Sequence, residues 1–172
     1  MFMRSVIRSV LGTAAIVAAI VGCQTPAERR ASDECGVLAK TFFRLPVTQQ
    51  LKEFQAYSVE RQYDVYICGN QTMHPPAVYL ATTLASRGGE AVGFLKERLE
   101  MARDDRTIRD LVRVFTEMNR LKTYDVSGDK ALMRMLVEAV SRMTNEGWKQ
   151  MTIGFLHEAG IDVRGEKSGN RR

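Results

Sequence analysis

Residues 88–115, GGEAVGFLKERLEMARDDRTIRDLVRVF, decide the fold class of this chain, because they contain two amphipathic helices separated by a short polar break. In the second helix the apolar residues recur every three or four positions, so they fall on one stripe. The stripe consists of Ile108, Leu111, Val112, Phe115, Met118 and Leu121. A similar stripe runs from Glu90 to Ala102, and Asp104-Asp105 can cap the helix that follows. The stretch therefore predicts a helical hairpin.

Helical spacing also dominates the rest of the chain from Glu34 onward. Further helices are expected at 34–43, 48–57, 59–69, 76–86, 128–144 and 147–159. Pro46 and His74-Pro75-Pro76 mark breaks between helices, and Gly160 is a stop signal for the last one. Long alternating patterns, which would indicate strands, are absent. The sequence predicts an all-α fold.

A shift of 40 residues brings two parts of the chain into register. The shift pairs Ala91 with Ala131, Leu95 with Met135, Leu111 with Met151 and Phe115 with Phe155. Segments 90–118 and 130–158 are therefore predicted to be two copies of one hairpin, and the period resembles that of HEAT-like repeats. This resemblance implies a short helical-hairpin array. Because any two amphipathic hairpins of equal length align on their stripes, a compact irregular helical bundle is the alternative.

The N-terminus has the composition of an export signal. Arg4 and Arg8 supply positive charge, and an uncharged apolar run of 13 residues extends from Val10 to Gly22. A membrane-spanning helix needs about 20 apolar residues, so this run is too short to be one. A basic start, a short apolar stretch and small residues at its end are typical of a secretory signal peptide.

The end of that run, Ile20-Val21-Gly22-Cys23, resembles the lipobox of bacterial lipoproteins. The resemblance implies that the Cys23 thiol takes a diacylglycerol, that the chain is cut before Cys23, and that the new amino group is acylated. Two or three acyl chains give stable membrane anchoring. Gln24, in place of the Asp that retains many lipoproteins at the inner membrane, favours the outer membrane, facing the periplasm.

These boundaries predict four segments. Residues 1–22 are the signal peptide, 23–33 the lipidated N-terminus and a polar tether, 34–163 the all-α domain, and 164–172 a flexible tail. Cleavage lowers the formal charge from +5 to about +3, because Arg4 and Arg8 are removed. So small a surplus, together with export, gives no reason to expect nucleic acid binding.

Cys35 and Cys68 remain after lipidation of Cys23, and in an oxidising periplasm such a pair predicts a disulfide. By the chain-entropy model, closing a loop of this length would stabilise the domain by about 3–4 kcal/mol. Two buried free thiols are the alternative. A catalytic redox pair is not expected, because no Cys-x-x-Cys motif is present.

The sequence carries no catalytic or metal-binding constellation that we would defend. The two histidines, His74 and His157, lie far apart and have no cysteine cluster near them, whereas a zinc site needs three or four ligands. Ser127 and Lys130 match the Ser-x-x-Lys motif of penicillin-binding proteins, but a helix cap explains Ser127. Acidic residues that could cleave a glycan sit among arginines on solvated faces: Glu90, Glu97, Glu100, Asp104 and Asp105. We expect no enzyme activity and no cofactor other than the lipid on Cys23.

One segment has the composition of a protein interface. Residues 57–79 hold four of the five tyrosines, and Tyr and Met are enriched at interfaces. The predicted partner-binding residues are Tyr66, Asn70, Gln71, Met73 and His74. The alternative is that the tyrosines pack the N-terminal helices against each other.

Together these features predict a lipid-anchored envelope lipoprotein. Its expected role is that of a non-catalytic scaffold, adaptor or assembly factor that binds another envelope protein. Small all-helical outer-membrane lipoproteins that escort secretion channels are similar in architecture. The alternatives are a peptidoglycan-acting enzyme or its accessory factor, and an orphan surface lipoprotein of a mobile element or phage. No small-molecule substrate is indicated.

Overall fold

The computed structural model describes residues 26–161, so the predicted signal peptide, the lipobox cysteine Cys23 and the predicted tail 164–172 lie outside the described residues. Eight α-helices and one short 3-10 helix (Phe42–Arg44) make up this range, which contains no strand. The helices are α1 (Pro26–Lys40), α2 (Val47–Gln55), α3 (Val59–Thr72), α4 (Leu80–Ala85), α5 (Gly89–Met101), α6 (Asp105–Leu121), α7 (Lys130–Arg142) and α8 (Glu146–Glu158). The predicted all-α fold is confirmed.

The helices are arranged in two layers. The odd-numbered helices contact one another in chain order, from α1 through α3 and α5 to α7, and the even-numbered helices do the same from α2 to α8. Consecutive helices α3 and α4, α5 and α6, and α7 and α8 also contact each other. This order of contacts is that of a helical-hairpin array. Helix α6 is central, since it contacts helices of both layers.

The internal repeat has a period of 41 residues, so the predicted 40-residue pairing is wrong by one position. Helix α7 begins at Lys130, which is 41 positions after Gly89, and α8 begins 41 positions after α6. The 41-residue shift pairs buried Ala91 with Leu132, Leu95 with Leu136, Leu99 with Val140, and Ala102 with Met143. It also pairs the two residues that cap α6 and α8, Asp104 and Asn145. Apolar stripes alone allow the two segments to be aligned with an error of one residue. The capping residues fix the alignment, because each occupies a single position at the start of its helix.

Helix α1 begins earlier than the sequence analysis predicted. Residues 26–33, which belong to the predicted tether 23–33, are helical. The physical reason is the composition of PAERRA: proline is favoured at the first position of a helix, and Ala, Glu and Arg are strong helix formers. This stretch therefore forms the first turns of α1, so the predicted tether 23–33 is corrected from Pro26 onward.

A disulfide joins α1 to α3. Cys35 and Cys68 are bonded to each other, with their Cα atoms 5.5 Å apart and 33 residues of separation along the chain. That Cα distance lies in the usual range for a disulfide. Cys68 is buried and Cys35 is partly buried against the core. The pairing closes the N-terminal third of the array covalently.

Asp129 forms the N-terminal cap of α7, and Ser127, which the sequence analysis explained as a helix cap, lies two residues before it. Its Oδ1 accepts hydrogen bonds from the backbone N–H groups of Ala131 and Leu132 at 3.1 and 3.0 Å. Its Oδ2 accepts from Lys96 Nζ at 2.5 Å and from the Tyr124 hydroxyl at 2.7 Å. These bonds, led by that of the Leu132 N–H, hold the pKa of the Asp129 carboxyl below its ordinary value.

We expect the Asp129→Asn variant to be less stable than wild type at pH 7 and to show a smaller deficit in acid. A depressed folded-state pKa means that ionised Asp129 stabilises the fold fully above the unfolded pKa near 4, and that this stabilisation is lost progressively as the pH falls from there through the lower folded-state pKa. Asparagine can still cap the helix but has no charge, so the deficit at pH 7 should be about 1 kcal/mol. Urea unfolding followed by circular dichroism at pH 7 and pH 3 measures it. Exposed Glu97, changed to Gln, serves as the control. A deficit that is the same at both pH values would contradict the assignment.

Candidate partner-binding surface

Two of the five predicted partner-binding residues lie in the core, so their assignment to a partner surface is wrong. Tyr66 is fully buried, and its hydroxyl donates to the backbone carbonyl of Asp110 at 3.0 Å. Asn70 is only 6% exposed. Both residues lie on the face of α3 that packs towards α6, because positions 66 and 70 are one helical turn apart. The alternative made for the tyrosines, that they pack the N-terminal helices, describes Tyr66 correctly.

The other three predicted residues reach the surface. Gln71 is half-buried and its Nε2 donates to the Thr107 hydroxyl at 3.1 Å, which connects the end of α3 to the start of α6. Met73 is half-buried directly after α3, and His74 is exposed next to it. Of these three residues, Gln71 contacts α6 through its hydrogen bond to Thr107.

A buried carboxylate lies beside this junction. Asp110 is 2% exposed, although the sequence placed it outside the apolar stripe of α6. Arg109 donates to its Oδ1 from Nε at 2.8 Å and from Nη2 at 2.6 Å, while Oδ2 has no hydrogen-bond partner among the described residues. Burial raises the pKa of the Asp110 carboxyl, and the Arg109 guanidinium opposes that rise.

The solvent face of α6 is a line of charged side chains. Between Ile108 and Met118 only Arg109, Arg113 and Glu117 escape burial. Arg106 and Arg120 extend the same line at its two ends. The line from Arg106 to Arg120 is about 21 Å long, because each residue of an α-helix rises 1.5 Å. The central helix of the fold thus presents mainly arginine to the outside.

Aromatic rings of α8 stack against these arginines. The Cζ atoms of Arg106 and Arg109 lie 5.3 and 4.7 Å from the centre of the Trp148 ring, and Arg113 Cζ lies 4.9 Å from the centre of the Phe155 ring. These three distances, and the pairing of arginine with an aromatic ring, are those of cation–π contacts. We call these five residues, Arg106, Arg109, Arg113, Trp148 and Phe155, the arginine–aromatic seam.

Two guanidinium groups of the seam have no carboxylate partner within 4 Å in the part of the chain that the structure describes. These are Arg106 and Arg113, and Nε of Arg113 is buried without a hydrogen-bond partner. Nearby carboxylates are already engaged: Asp104 accepts from the Thr107 N–H, and Asp105 from the N–H groups of Thr144 and Asn145. The seam therefore has unused hydrogen-bond donors.

Two clefts lie along the seam between α6 and α8. The larger, of about 400 Å³, is lined by Arg103, Asp104, Asp105, Arg106, Thr144, Asn145 and Trp148. The smaller, of about 60 Å³, is lined by Arg113, Thr116, Glu117, Arg120, Phe155, Glu158 and Ala159. The seam is consequently an indented surface and not a flat one.

A similar stack occurs elsewhere in the fold. Arg98 Cζ lies 4.7 Å from the centre of the Phe94 ring and 5.6 Å from that of Tyr63, in the layer of odd-numbered helices. Burial raises the pKa of the Tyr63 hydroxyl to about 12, so this hydroxyl is neutral at physiological pH. This second stack provides an internal control for experiments on the seam.

Within residues 26–161, no group of three or more His, Cys, Asp and Glu side chains is placed to hold a metal ion. None of the helices in that range combines the length and the apolar character that crossing a membrane requires.

Sequence reasoning missed the seam although its signal was present. The residues reaching solvent on α6 follow one another at intervals of three and four, and Trp148 and Phe155 are two helical turns apart on α8. Within its own helix, each pattern is also typical of an ordinary amphipathic helix. Only the packing of α8 beside α6 brings them together.

No protein-family model, no curated protein and no solved structure matches this chain.

Proposed function

We propose that this protein is a lipid-anchored envelope lipoprotein that acts as a non-catalytic adaptor or scaffold for another envelope protein. The lipobox Ile20-Val21-Gly22-Cys23 supports export and lipid anchoring. The arginine–aromatic seam is the single structural observation that supports partner binding. Arginine and tryptophan are strongly enriched among the residues that contribute most of the energy at protein interfaces.

The seam suits binding because its side chains are already held in place. A flexible arginine loses rotamer freedom when it is immobilised at an interface, which costs about 0.5–1.5 kcal/mol per side chain. Stacking on Trp148 and Phe155 already restricts the arginine side chains in the free protein, so binding a partner costs less rotamer entropy. A surface arranged in this way can bind without a large rearrangement.

The alternative function, cleavage of peptidoglycan, would require an acidic residue with a raised pKa in a cleft. Asp64 and Asp110 both have raised pKa values, but Asp110 is buried and neither residue lines either of the clefts along the seam. The adaptor is therefore the better supported function.

Comparing wild type with Cys23→Ala tests this proposal. We expect wild type to incorporate labelled palmitate, to fractionate with membranes and to give reproducible in-cell crosslinks to one or a few envelope proteins. Cys23→Ala should lose the label and these crosslinks, because the thiol that carries the lipid is absent. Thr13→Ala, which leaves the lipobox intact, is the matched control.

Two outcomes would contradict the proposal in different ways. If Cys23→Ala is still labelled and still crosslinks to the same proteins, the anchor proposal is wrong. If wild type gives no reproducible crosslink, the adaptor proposal is wrong, and the release of muropeptides by the purified protein becomes the next assay.

A further inference from the structure

We propose that the arginine–aromatic seam binds an extended acidic segment of the partner protein, with carboxylates three residues apart. This inference rests on the proposed adaptor function and adds to it the surface and the chemistry of the partner.

The orientation of the guanidinium groups argues for carboxylate ligands. In a stacked arginine the aromatic ring covers a face of the guanidinium plane, while the N–H donors point outward within that plane. A carboxylate approaching edge-on can accept two of these hydrogen bonds at once, which is the strongest geometry for this pair. Arg106 and Arg113 are available for such contacts, since neither has a carboxylate partner among the described residues.

The spacing of these two arginines sets the spacing of the ligand. Arg106 and Arg113 are seven residues apart on α6, which corresponds to about 10.5 Å along the helix axis. A peptide in the extended polyproline II conformation advances about 3.1 Å per residue with three residues per turn, so carboxylates at positions i and i+3 lie on one face about 9 Å apart. A segment with this spacing would place one carboxylate at each arginine as it passes Trp148.

The acidic residues beside the seam favour a protein segment over a continuous polyanion. Glu117 lies between Arg113 and Arg120 on the same line, and Glu158 lines the smaller cleft. A nucleic acid backbone or an anionic bilayer presents negative charge continuously and would bring it against these two carboxylates. A peptide can place neutral residues there, and it can enter clefts that a bilayer surface cannot follow.

Trp148 provides a direct probe, because it is the only tryptophan of the chain. The experiment uses the full lipidated protein in detergent and a peptide with glutamates at i, i+3 and i+6. We expect a saturable change in Trp148 fluorescence that weakens at high salt. The same peptide with glutamine in place of each glutamate, and one with glutamates at i, i+2 and i+4, should bind about tenfold more weakly, because charge-assisted hydrogen bonds are lost or misplaced.

Variants of the protein test the residues. Arg106→Gln and Arg113→Gln should each weaken binding of the i, i+3, i+6 peptide about tenfold, since each removes one charged donor. Arg98→Gln, which alters the similar stack on Phe94, should bind like wild type. Arg106 is exposed, so its replacement should leave the thermal unfolding curve unchanged even if the half-buried Arg113 does not tolerate substitution.

Three results would overturn the seam assignment. These are equal binding of the glutamate and glutamine peptides, unchanged binding by folded Arg106→Gln, and a preference for anionic over neutral phospholipid vesicles, or binding of duplex DNA at least as tight as that of the peptide, that Arg106→Gln abolishes. Failure of the adaptor function is distinguishable from these. If wild type and Arg106→Gln crosslink equally to the same envelope proteins in cells, the adaptor stands and the seam is wrong. If wild type crosslinks to none, the adaptor is wrong whatever the peptides show.

Discussion

Replacing Tyr66 with alanine is expected to destabilise the fold by about 3–5 kcal/mol, because the change empties a fully buried site and removes a hydrogen bond. The ring of Tyr66 is inaccessible to solvent, and its hydroxyl joins α3 to the backbone of α6 at Asp110. Such a loss is a large part of the 5–15 kcal/mol that stabilises a typical domain. Urea unfolding monitored by circular dichroism measures it.

The Tyr66→Phe variant distinguishes the contribution of the ring to stability from that of the hydroxyl. It keeps the packing and loses one buried hydrogen bond, so it should cost only about 1 kcal/mol and should leave partner crosslinking unchanged. A Tyr66→Ala protein that is as stable as wild type but no longer crosslinks to a partner would restore the original prediction that Tyr66 is a contact residue. It would also contradict the buried position described above.

Gly88→Ala is expected to be comparably damaging, with a loss of about 3–5 kcal/mol. Gly88 caps α5 with φ +55° and ψ −133°, a conformation that residues with a Cβ atom rarely adopt and that costs about 1–3 kcal/mol. A Cβ atom at this position would lie 2.4 Å from the carbonyl oxygen of Thr123, and relief of that overlap adds a similar cost. Because Thr123 is held by a hydrogen bond from its hydroxyl to the Ala85 carbonyl, the backbone has little room to move.

The adjacent glycine is the matched control for this prediction. A Cβ atom on Gly89 would meet nothing within 4 Å, and Gly89 is the first residue of α5. Gly89→Ala should therefore be neutral or stabilising by up to about 1 kcal/mol, as expected from helix propensity. Equal thermal unfolding of the two variants would show that the close approach of Thr123 does not constrain the turn.

The helices were predictable from sequence because their apolar residues are regularly spaced and their ends carry clear signals. Asp104 and Gly160 illustrate this, since Asp104 caps the start of α6 and Gly160 follows the end of α8, as predicted. The repeat register was off by one because stripes are broad enough to align in two ways. The start of α1 was missed because the polar composition of residues 23–33 predicts a tether, although the first position of a helix accommodates a proline such as Pro26 well.

The candidate surface was less predictable, because exposure depends on packing between helices that are distant in sequence. Tyrosine has an apolar ring and a polar hydroxyl, so composition alone does not distinguish a buried Tyr66 from one at an interface. Asp110 lies outside the predicted apolar stripe of α6, yet its ion pair with Arg109 allows it to be buried. Similarly, no local pattern indicates that Arg113 lies against Phe155, which is 42 residues away along the chain.

The disulfide between α1 and α3 determines how the domain would respond to a pull applied at its N-terminal end. If a partner or the envelope exerts tension on a lipid held at Cys23, the force enters the domain through α1 and crosses from Cys35 to Cys68 by a covalent bond. The residues between the two cysteines, which include α2, then lie outside the path of the force. Tension therefore acts directly on the middle of the array and cannot peel the N-terminal helices away one after another. After reduction of the disulfide, only non-covalent contacts would transmit force directly between α1 and α3. The domain would then unfold at a lower force.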